Sequence, residues 1–506
     1  MRGMLRTATA LLFLLANTAV AQKLDSSAID QVMREMMTIW KIPGASIAVV
    51  KDDKVVFLKG YGTRELGGTA QVTPDTLFQI ASTSKAFTTT AMAMLVDEKK
   101  MKWDDPVRKY IDYFRLADPC ADSQVTLRDI VSHRTGLSRH DELWDYTPQT
   151  RAEILRSVAF IDLSKPFRSA YQYQNIMFMA AGEAVAAASG MSYEDFVKTR
   201  IFDPLGMKNS VIAEADWQSS EHALGYRYDP KKDAVLPQPS SSFDSLGGAG
   251  LIKSSARDLS QWLRFQLAGG TIDGKKLLSA EVLNETKTPQ TLLRQEGMTR
   301  EENPETIINT YGLGWRVQDY RGEALISHGG ALNSYRTQVA LLPKQNAGVA
   351  IMINVGRGYA AIAARNSLLD LFIGKSSRDW NAYFTEYEAK LRTEGEADRA
   401  KREARRHRDT KPSRGLEAYA GTYSSPAYGM ATVAVEKGGL VLTWSRLRAP
   451  LTHYHFDTFS AVNEEEDLDE EITFSLGSDG DVKKLTIFGE EFQKKTPLPL
   501  AGEGGA

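Results

Sequence analysis

One cysteine, Cys120, is all the chain has in 506 residues. No intrachain disulfide can form, so the fold must rest on packing, and the chain is long enough to bury a large core. Excess charge of one sign is missing as well. Lys plus Arg is 62 and Asp plus Glu is 64, a formal net charge of −2, which leaves no electrostatic footprint for a nucleic-acid partner. Beyond the N-terminus, no stretch reaches the ~20 apolar residues that a membrane-spanning helix needs. The composition, 42% hydrophobic and 25% charged, is ordinary for a globular protein and excludes wholesale disorder and a collagen-like chain. At roughly 150 residues per domain, there is room for two or three domains.

The one apolar run lies at the start. Arg2 and Arg6 precede an apolar segment over 8–16, and Ala19-Val20-Ala21 fits the small-x-small cleavage pattern. Residues 1–21 are expected to be a signal peptide. Its loss removes two arginines and takes the formal charge to 60 − 64 = −4. No cysteine follows the cleavage site, which speaks against a lipid anchor. The mature chain is expected to be periplasmic or secreted, with no stable membrane anchor.

Hydrophobic patterning then divides the chain. An amphipathic helix is expected over 28–40, followed by strands over 45–50 and 54–61 around an Asp52-Asp53 turn. A long apolar helix is expected over 83–96. The middle is rich in helix starts: Thr126 with Asp129, Ser192 with Asp195, and Pro148 as a first helical residue. Residues 175–189 are apolar nearly all round and stop at Gly190, the pattern of a buried helix with a glycine cap. Another helix opens at Ser255. Strands return over 311–317, 324–328, 336–342 and 348–354, with a helix over 360–372. This is an α+β pattern, a mostly antiparallel sheet flanked by helices with a helical insertion. The stretch 376–414 mixes acids and bases at helical spacing and reads as a charged helical linker. Residues 415–497 turn β-rich and suggest a small β-barrel, followed by a tail over 498–506. The α+β region is thus 22–375. The break in composition predicts that a chain ending near Thr410 still folds and keeps its chemistry, but with changed specificity or oligomeric state.

Three short patterns carry chemistry. Ser82-Thr83-Ser84-Lys85 opens the long apolar helix, and residues i and i+3 share a helix face, so the Lys85 amine comes beside the Ser82 hydroxyl. Burial would lower the lysine pKa and let it act as a base toward a serine nucleophile. Tyr173-Gln174-Asn175 stands at the entry to the buried helix and offers a phenol and an amide. His328-Gly329-Gly330 ends a late strand. Its glycines permit close approach of a substrate backbone, and the amide of Ala331 can donate to an oxyanion.

In this order and spacing, the three patterns resemble the penicillin-recognising serine hydrolases, in particular the branch of class C β-lactamases, D-aminopeptidases, DD-carboxypeptidases and esterases. Ile80 to Thr88, Val131-Ser132-His133-Arg134-Thr135-Gly136-Leu137 and Gly247-Gly248-Ala249-Gly250-Leu251 extend the likeness over about 26–373. Tyr419-Ala420-Gly421-Thr422-Tyr423 resembles the lipocalin-like β-domain often appended to that family. The resemblance implies a β-lactamase-like fold and a serine hydrolase that forms an acyl-enzyme on Ser82. Lys85 and Tyr173 would share the proton work, with the base left open between them. Asn175, His328, Gly330 and Ala331 would bind substrate, and the amides of Ser82 and Ala331 would form the oxyanion hole. It implies no cofactor and no metal, and a small-molecule or peptide substrate; homo-oligomer formation is left open. The β-lactamases of the family usually carry lysine where this chain has His328. That departure favours peptidase or esterase activity over efficient β-lactam hydrolysis, with Arg336 as an alternative source of the missing charge. The competing reading is a penicillin-binding-like sensor of cell-wall material with little turnover.

Other candidates are weaker. His453, His455 and Asp457 alternate as metal ligands on a strand could, but read as polar side chains of the barrel. The acidic run over 464–471 reads as a solvated hairpin loop, Cys120 as part of a polar loop, and His133 and His140 as structural.

Overall fold

The computed structural model describes residues 25–218, 220–238, 244–375, 378–463 and 468–495. The leader expected at 1–21, the tail over 498–506 and residues 464–467 of the acidic run lie outside the described residues.

The central sheet is built from β1 (Gly44–Lys51), β2 (Lys54–Gly62), β3 (Thr291–Leu292), β4 (Asn309–Tyr311), β5 (Arg316–Tyr320), β6 (Glu323–Leu332), β7 (Tyr335–Leu342) and β8 (Ala347–Ile353). The strands pair in the order β2-β1-β8-β7-β6-β5-β4-β3, every pair antiparallel. The longer helices around it are α1 (Ser26–Ile39), α2 (Ser84–Asp97), α3 (Asn175–Ser189), α4 (Ala256–Leu267), α5 (Gly358–Ile373) and α6 (Trp380–Ala404).

The β1–β2 turn works as its residues dictate. Asp52 and Asp53 both have positive φ, 50° and 61°, the backbone that a two-residue hairpin needs to match the strand twist. Strand parity then sorts the core. Ala45, Ile47 and Val49 bury against α1 and α5, whereas Ala48 and Val50 bury on the other face, with α2 and α4. Each such side chain contributes about 1.5–3 kcal/mol when fully buried. A one-residue slip of β1 would reverse both faces, so the register is strongly set. On the α2 side, the Phe87 ring stacks on Trp262 of α4 with centroids 3.7 Å apart.

Some local expectations are corrected. The strand expected over 311–317 is a hairpin: Tyr311 pairs with Arg316, and Gly314, at φ 78°, makes the turn. The helix expected to start at Pro148 runs instead over Arg151–Ser157. There Thr150 and Glu153 form a capping box that satisfies two amides together, more than Pro148 offers. Cys120 lies in a short helix, Pro119–Gln124, capped by Asp118, rather than in a loop. The described part of the acidic run, 468–471, is strand, not loop.

The charged segment is the helix α6, but only its distal part is solvated. Trp380, Asn381 and Phe384 are buried, with Trp380 and Phe384 in the core beside α5, and residues 391–400 are exposed. Eight strands then close a barrel, β9 (Gly421–Ser425), β10 (Gly429–Glu436), β11 (Gly439–Trp444), β12 (Leu447–His455), β13 (Thr458–Asn463), β14 (Leu468–Leu476), β15 (Val482–Ile487) and β16 (Glu490–Lys494). A register shift on β12 between His453 and His455 breaks their alternation. Asp457 accepts from Ser413 and Tyr419.

The barrel is not a free appendage. The Tyr146 ring stacks on Phe488 at 6.1 Å and meets Trp444 at 6.1 Å. The apolar cores of barrel and hydrolase-like region are thereby continuous. Arg402 of α6 pairs with Asp469 of β14 at 2.7 Å.

Candidate active site

Ser82 lies in the short 3-10 turn Ala81–Thr83 that leads into α2. Ala81 is held at φ 48°, a costly left-handed backbone for alanine that turns Ser82 out of the preceding strand. The turn is anchored on both sides. Phe78–Gln79 pairs with Lys253–Ser254, and Ile80 N donates to Ile252 O at 3.0 Å. Strand β6 passes directly over it: a Cβ on Gly330 would lie 2.1 Å from Ile80 O. Only glycine allows this approach, which brings Gly330 and the exposed Ala331 beside Ser82.

The Ser-x-x-Lys and Tyr-x-Asn residues meet. Nζ of Lys85 lies 3.0 Å from Oγ of Ser82. It also donates to Asn175 Oδ1 at 2.7 Å and to Ala249 O at 2.9 Å. The Tyr173 hydroxyl donates to Ser82 Oγ at 2.6 Å. Lys85 is fully buried. Burial, and then the Arg139 guanidinium, hold its amine well below the ordinary lysine range, with Asp141 opposing. Burial raises the Tyr173 phenol, with the Ser82 contact opposing. Both groups are therefore driven toward their neutral forms. A neutral amine has two N–H donors and one lone pair. Asn175 and Ala249 take the two donors, and the lone pair is left facing the Ser82 hydroxyl.

Ala249 reaches Lys85 because Gly248 wedges between α2 and α3. A Cβ there would lie 2.8 Å from Phe178 O and 3.0 Å from Thr88 Cγ2. The Gly247–Leu251 run had been tied to the family likeness without a role; its carbonyl on Lys85 is what the structure adds. Two further residues were not anticipated. Asp141 Oδ1 accepts from Asn175 Nδ2 at 2.9 Å, and Arg139, paired to Asp141 Oδ2 at 2.6 Å, lies 5.1 Å over the Tyr173 ring. The signal available was the run Arg139-His140-Asp141, one residue beyond the Val131–Leu137 stretch.

His328 is 5% exposed, and both its ring nitrogens are engaged within the protein. Nδ1 lies 2.7 Å from Gly329 O, so it carries the proton, and Nε2 accepts from the Tyr311 hydroxyl at 2.9 Å. Burial pushes its imidazole down to about 3. It therefore carries no charge at neutral pH to stand in for the family's lysine. Arg336 does not replace that charge. It pairs across the sheet with Ala331, so its side chain leaves the face opposite to that of Gly330. Its guanidinium packs near Gly356 and Gly358 and donates to Asn333 O and Tyr335 O. His133 is fully buried among Tyr171, Tyr173, Phe178 and Tyr311 and accepts from Gln174 N at 3.1 Å.

Comparison with known proteins places this arrangement. The family described as Beta-lactamase matches residues 29–372. The chain belongs to the beta-lactamase family. Beyond that domain, a domain of unknown function (DUF3471) matches residues 405–498, the span of the barrel. Among curated relatives, the unguisins hydrolase ungD' of Aspergillus campestris is 30% identical over 425 residues, 80% of this chain and 76% of its own length. Protein flp of Staphylococcus aureus is 24% identical over 336 residues, 65% of this chain and 63% of its own. Among solved structures, the octameric penicillin-binding protein homologue from Pyrococcus abyssi superimposes with a TM-score of 0.62 at 22% identity, over 93% of this chain and 99% of that one. The likeness spans barrel as well as hydrolase-like region. A beta-lactamase-family fold with relatives named as hydrolases supports serine-hydrolase chemistry.

Proposed function

We propose that this protein is an exported serine hydrolase that cleaves an amide or ester bond through an acyl-enzyme on Ser82. The observation that carries the reading is the placement of Ser82 Oγ between Lys85 Nζ at 3.0 Å and the Tyr173 hydroxyl at 2.6 Å. Lys85, whose burial favours the neutral amine, takes the Ser82 proton as Oγ attacks the substrate carbonyl. The amides of Ser82 and Ala331 receive the oxyanion. Tyr173 stays protonated and hands a proton toward the leaving group, to be refilled from Lys85. Water then repeats the sequence on the ester.

The substrate is a peptide or ester with no required carboxylate. A site that holds a free carboxylate needs a fixed cation. Here His328 is neutral, Arg336 faces away, and Arg139 is already neutralised by Asp141. Periplasmic or secreted residence follows from the leader and is checked by cell fractionation. The Pyrococcus abyssi protein is octameric, and self-association of this chain is a matter for light scattering.

A fluorophosphonate should label the purified protein at Ser82. Ser82→Ala should abolish labelling and lower turnover of a p-nitrophenyl ester by on the order of 10³-fold or more, with Lys85→Ala close behind because the pair works as a unit. Appreciable turnover by Ser82→Ala would sink the mechanism. Stoichiometric labelling without turnover would favour the sensor reading. A cephalosporin kcat/KM on the order of 10⁶ M⁻¹s⁻¹ or above would show an efficient β-lactamase instead.

A further inference from the structure

We infer that the C-terminal barrel is a working part of the active site: Tyr428 of the barrel, through His140, holds the segment whose Asp141 orients Asn175 against Lys85. The inference rests on the acyl-enzyme reading above.

The amide of Asn175 could face either way, and its neighbours decide. Asp141 Oδ1 accepts from Nδ2, which turns Oδ1 toward Lys85 Nζ at 2.7 Å. Were the amide reversed, Nδ2 would face the Lys85 amine, and the acceptor that directs the lysine lone pair onto Ser82 would be lost. Asp141 is thus a positioning residue. Its own place is set by Arg139 on Oδ2 and by Trp144 Nε1, which donates to Oδ1 at 2.8 Å. On the same side, Ser138 O accepts from Gln174, the residue between Tyr173 and Asn175.

The other side of this segment belongs to the barrel. His140 stands between Ser138 and Asp141 at φ 48°, a left-handed backbone that is uncommon outside glycine. The holding contacts are on its ring: Nε2 lies 2.8 Å from Ser138 Oγ, and Nδ1 lies 2.8 Å from the Tyr428 hydroxyl. Tyr428 is itself fixed. It is 3% exposed, its ring packs against Trp444 and Phe492, and its carbonyl accepts from Trp444 Nε1 at 2.8 Å. Farther along the barrel, past the strand Gly439–Trp444, Arg446 N donates to Tyr146 O at 3.1 Å and Arg446 Nε to Asp145 O at 2.7 Å. Residues 138–146 therefore run as a strap with the Asn175 contact on one side and the barrel on the other. In this chain of contacts Tyr428 reaches Asn175 through His140 and Asp141, which makes it a positioning residue.

The test uses the full chain, fluorophosphonate acylation of Ser82 and turnover of a p-nitrophenyl ester. Tyr428→Phe removes one hydroxyl and keeps the ring. Loss of one buried hydrogen bond should lower kcat and the acylation rate roughly three- to tenfold. KM should stay within about twofold and the melting temperature near wild type, a split that general loosening would not give. In an Asp141→Asn background the effect of Tyr428→Phe should largely vanish, because both act on one contact. If Tyr428→Phe does not fold, His140→Asn takes its place, since asparagine accepts the left-handed backbone. An acylation rate within about twofold of wild type would overturn the inference, as would full multiplication of the two effects. If the wild-type chain itself is not labelled at Ser82, the acyl-enzyme reading falls first. If it is labelled and the variants behave like it, this inference alone falls.

Discussion

At the scale of single residues, the pH dependence separates the roles of two bases. Lys85 must be unprotonated to accept the Ser82 proton, and burial sets its folded pKa below the ordinary value of 10.5. Rate should therefore rise with pH through that lowered pKa and then level off. His328, pushed down to about 3, is already neutral across the range where a free histidine titrates, near 6.5. It should add no limb between pH 5 and 8. The expected outcome is a kcat/KM profile whose acid limb keeps its position in His328→Gln, whatever the loss in absolute rate. A displacement of that limb by a full pH unit would make His328 the titrating group. The same linkage acts on stability. An unfolded chain binds a proton at Lys85 that the folded site resists, so this residue's contribution rises with pH up to its unfolded value.

At the scale of elements, the site is a meeting of backbones that cannot be spread apart. The turn carrying Ser82, the Gly248 wedge and β6 approach within distances that exclude a Cβ. Gly248→Ala places a methyl 2.8 Å from Phe178 O. Relief requires the wedge to back away from α3, and from Thr88 of α2, and Ala249 O moves with it, off Lys85. Overpacking of this kind costs about 1–3 kcal/mol. The expected outcome is a lower urea midpoint together with slower acylation, the second because one of the two acceptors on Lys85 is displaced. Unchanged acylation in a destabilised variant would mean that Ala249 O does not direct the amine. Gly190, by contrast, caps α3 at φ 73° with open space around it. Gly190→Ala should cost roughly 1 kcal/mol and leave the chemistry alone.

At the scale of the whole molecule, the expectation that a chain ending near Thr410 keeps its chemistry meets a different surface from the one its composition suggested. Removing the barrel uncovers Tyr146 and takes Tyr428 and Arg446 from the strap over 138–146. Such a truncated chain should melt lower and acylate more slowly than the full chain, measured by calorimetry and by fluorophosphonate labelling. Labelling at the full rate would restore the barrel to an independent appendage. The proximal turns of α6 belong with the hydrolase-like region, because Trp380 and Phe384 bury beside α5.

Much of this was legible in residue order. Long runs apolar nearly all round marked α2 and α3, which are buried on every side, and one-faced apolar patterns marked α1 and α4, because burial of one face imposes period 3.6 on apolar residues whatever the partner. Turn chemistry placed Asp52-Asp53 and the Gly190 cap, because those backbones admit few residues. Ser82 and Lys85 are three apart on one helix, so their contact is local and follows from helix geometry alone. The contacts of Tyr173 and Asn175 with them span 91 and 90 residues; the family resemblance put Tyr173 to the proton work and Asn175 on substrate, and it did not anticipate the bond from Lys85 to Asn175. Nothing local announces Asp141 as the partner of Asn175, Ala249 O as an acceptor for Lys85, or Tyr311 as the partner of His328, since each contact joins elements far apart in the chain. Tertiary structure decided these. It also set the direction in which the pKa values of Lys85 and His328 move, both downward, because desolvation is a property of what surrounds a side chain, which sequence spacing does not specify. The strap shared between barrel and site is of the same kind: a run of three polar residues, Arg139-His140-Asp141, whose alternate side chains face different domains once the chain is folded.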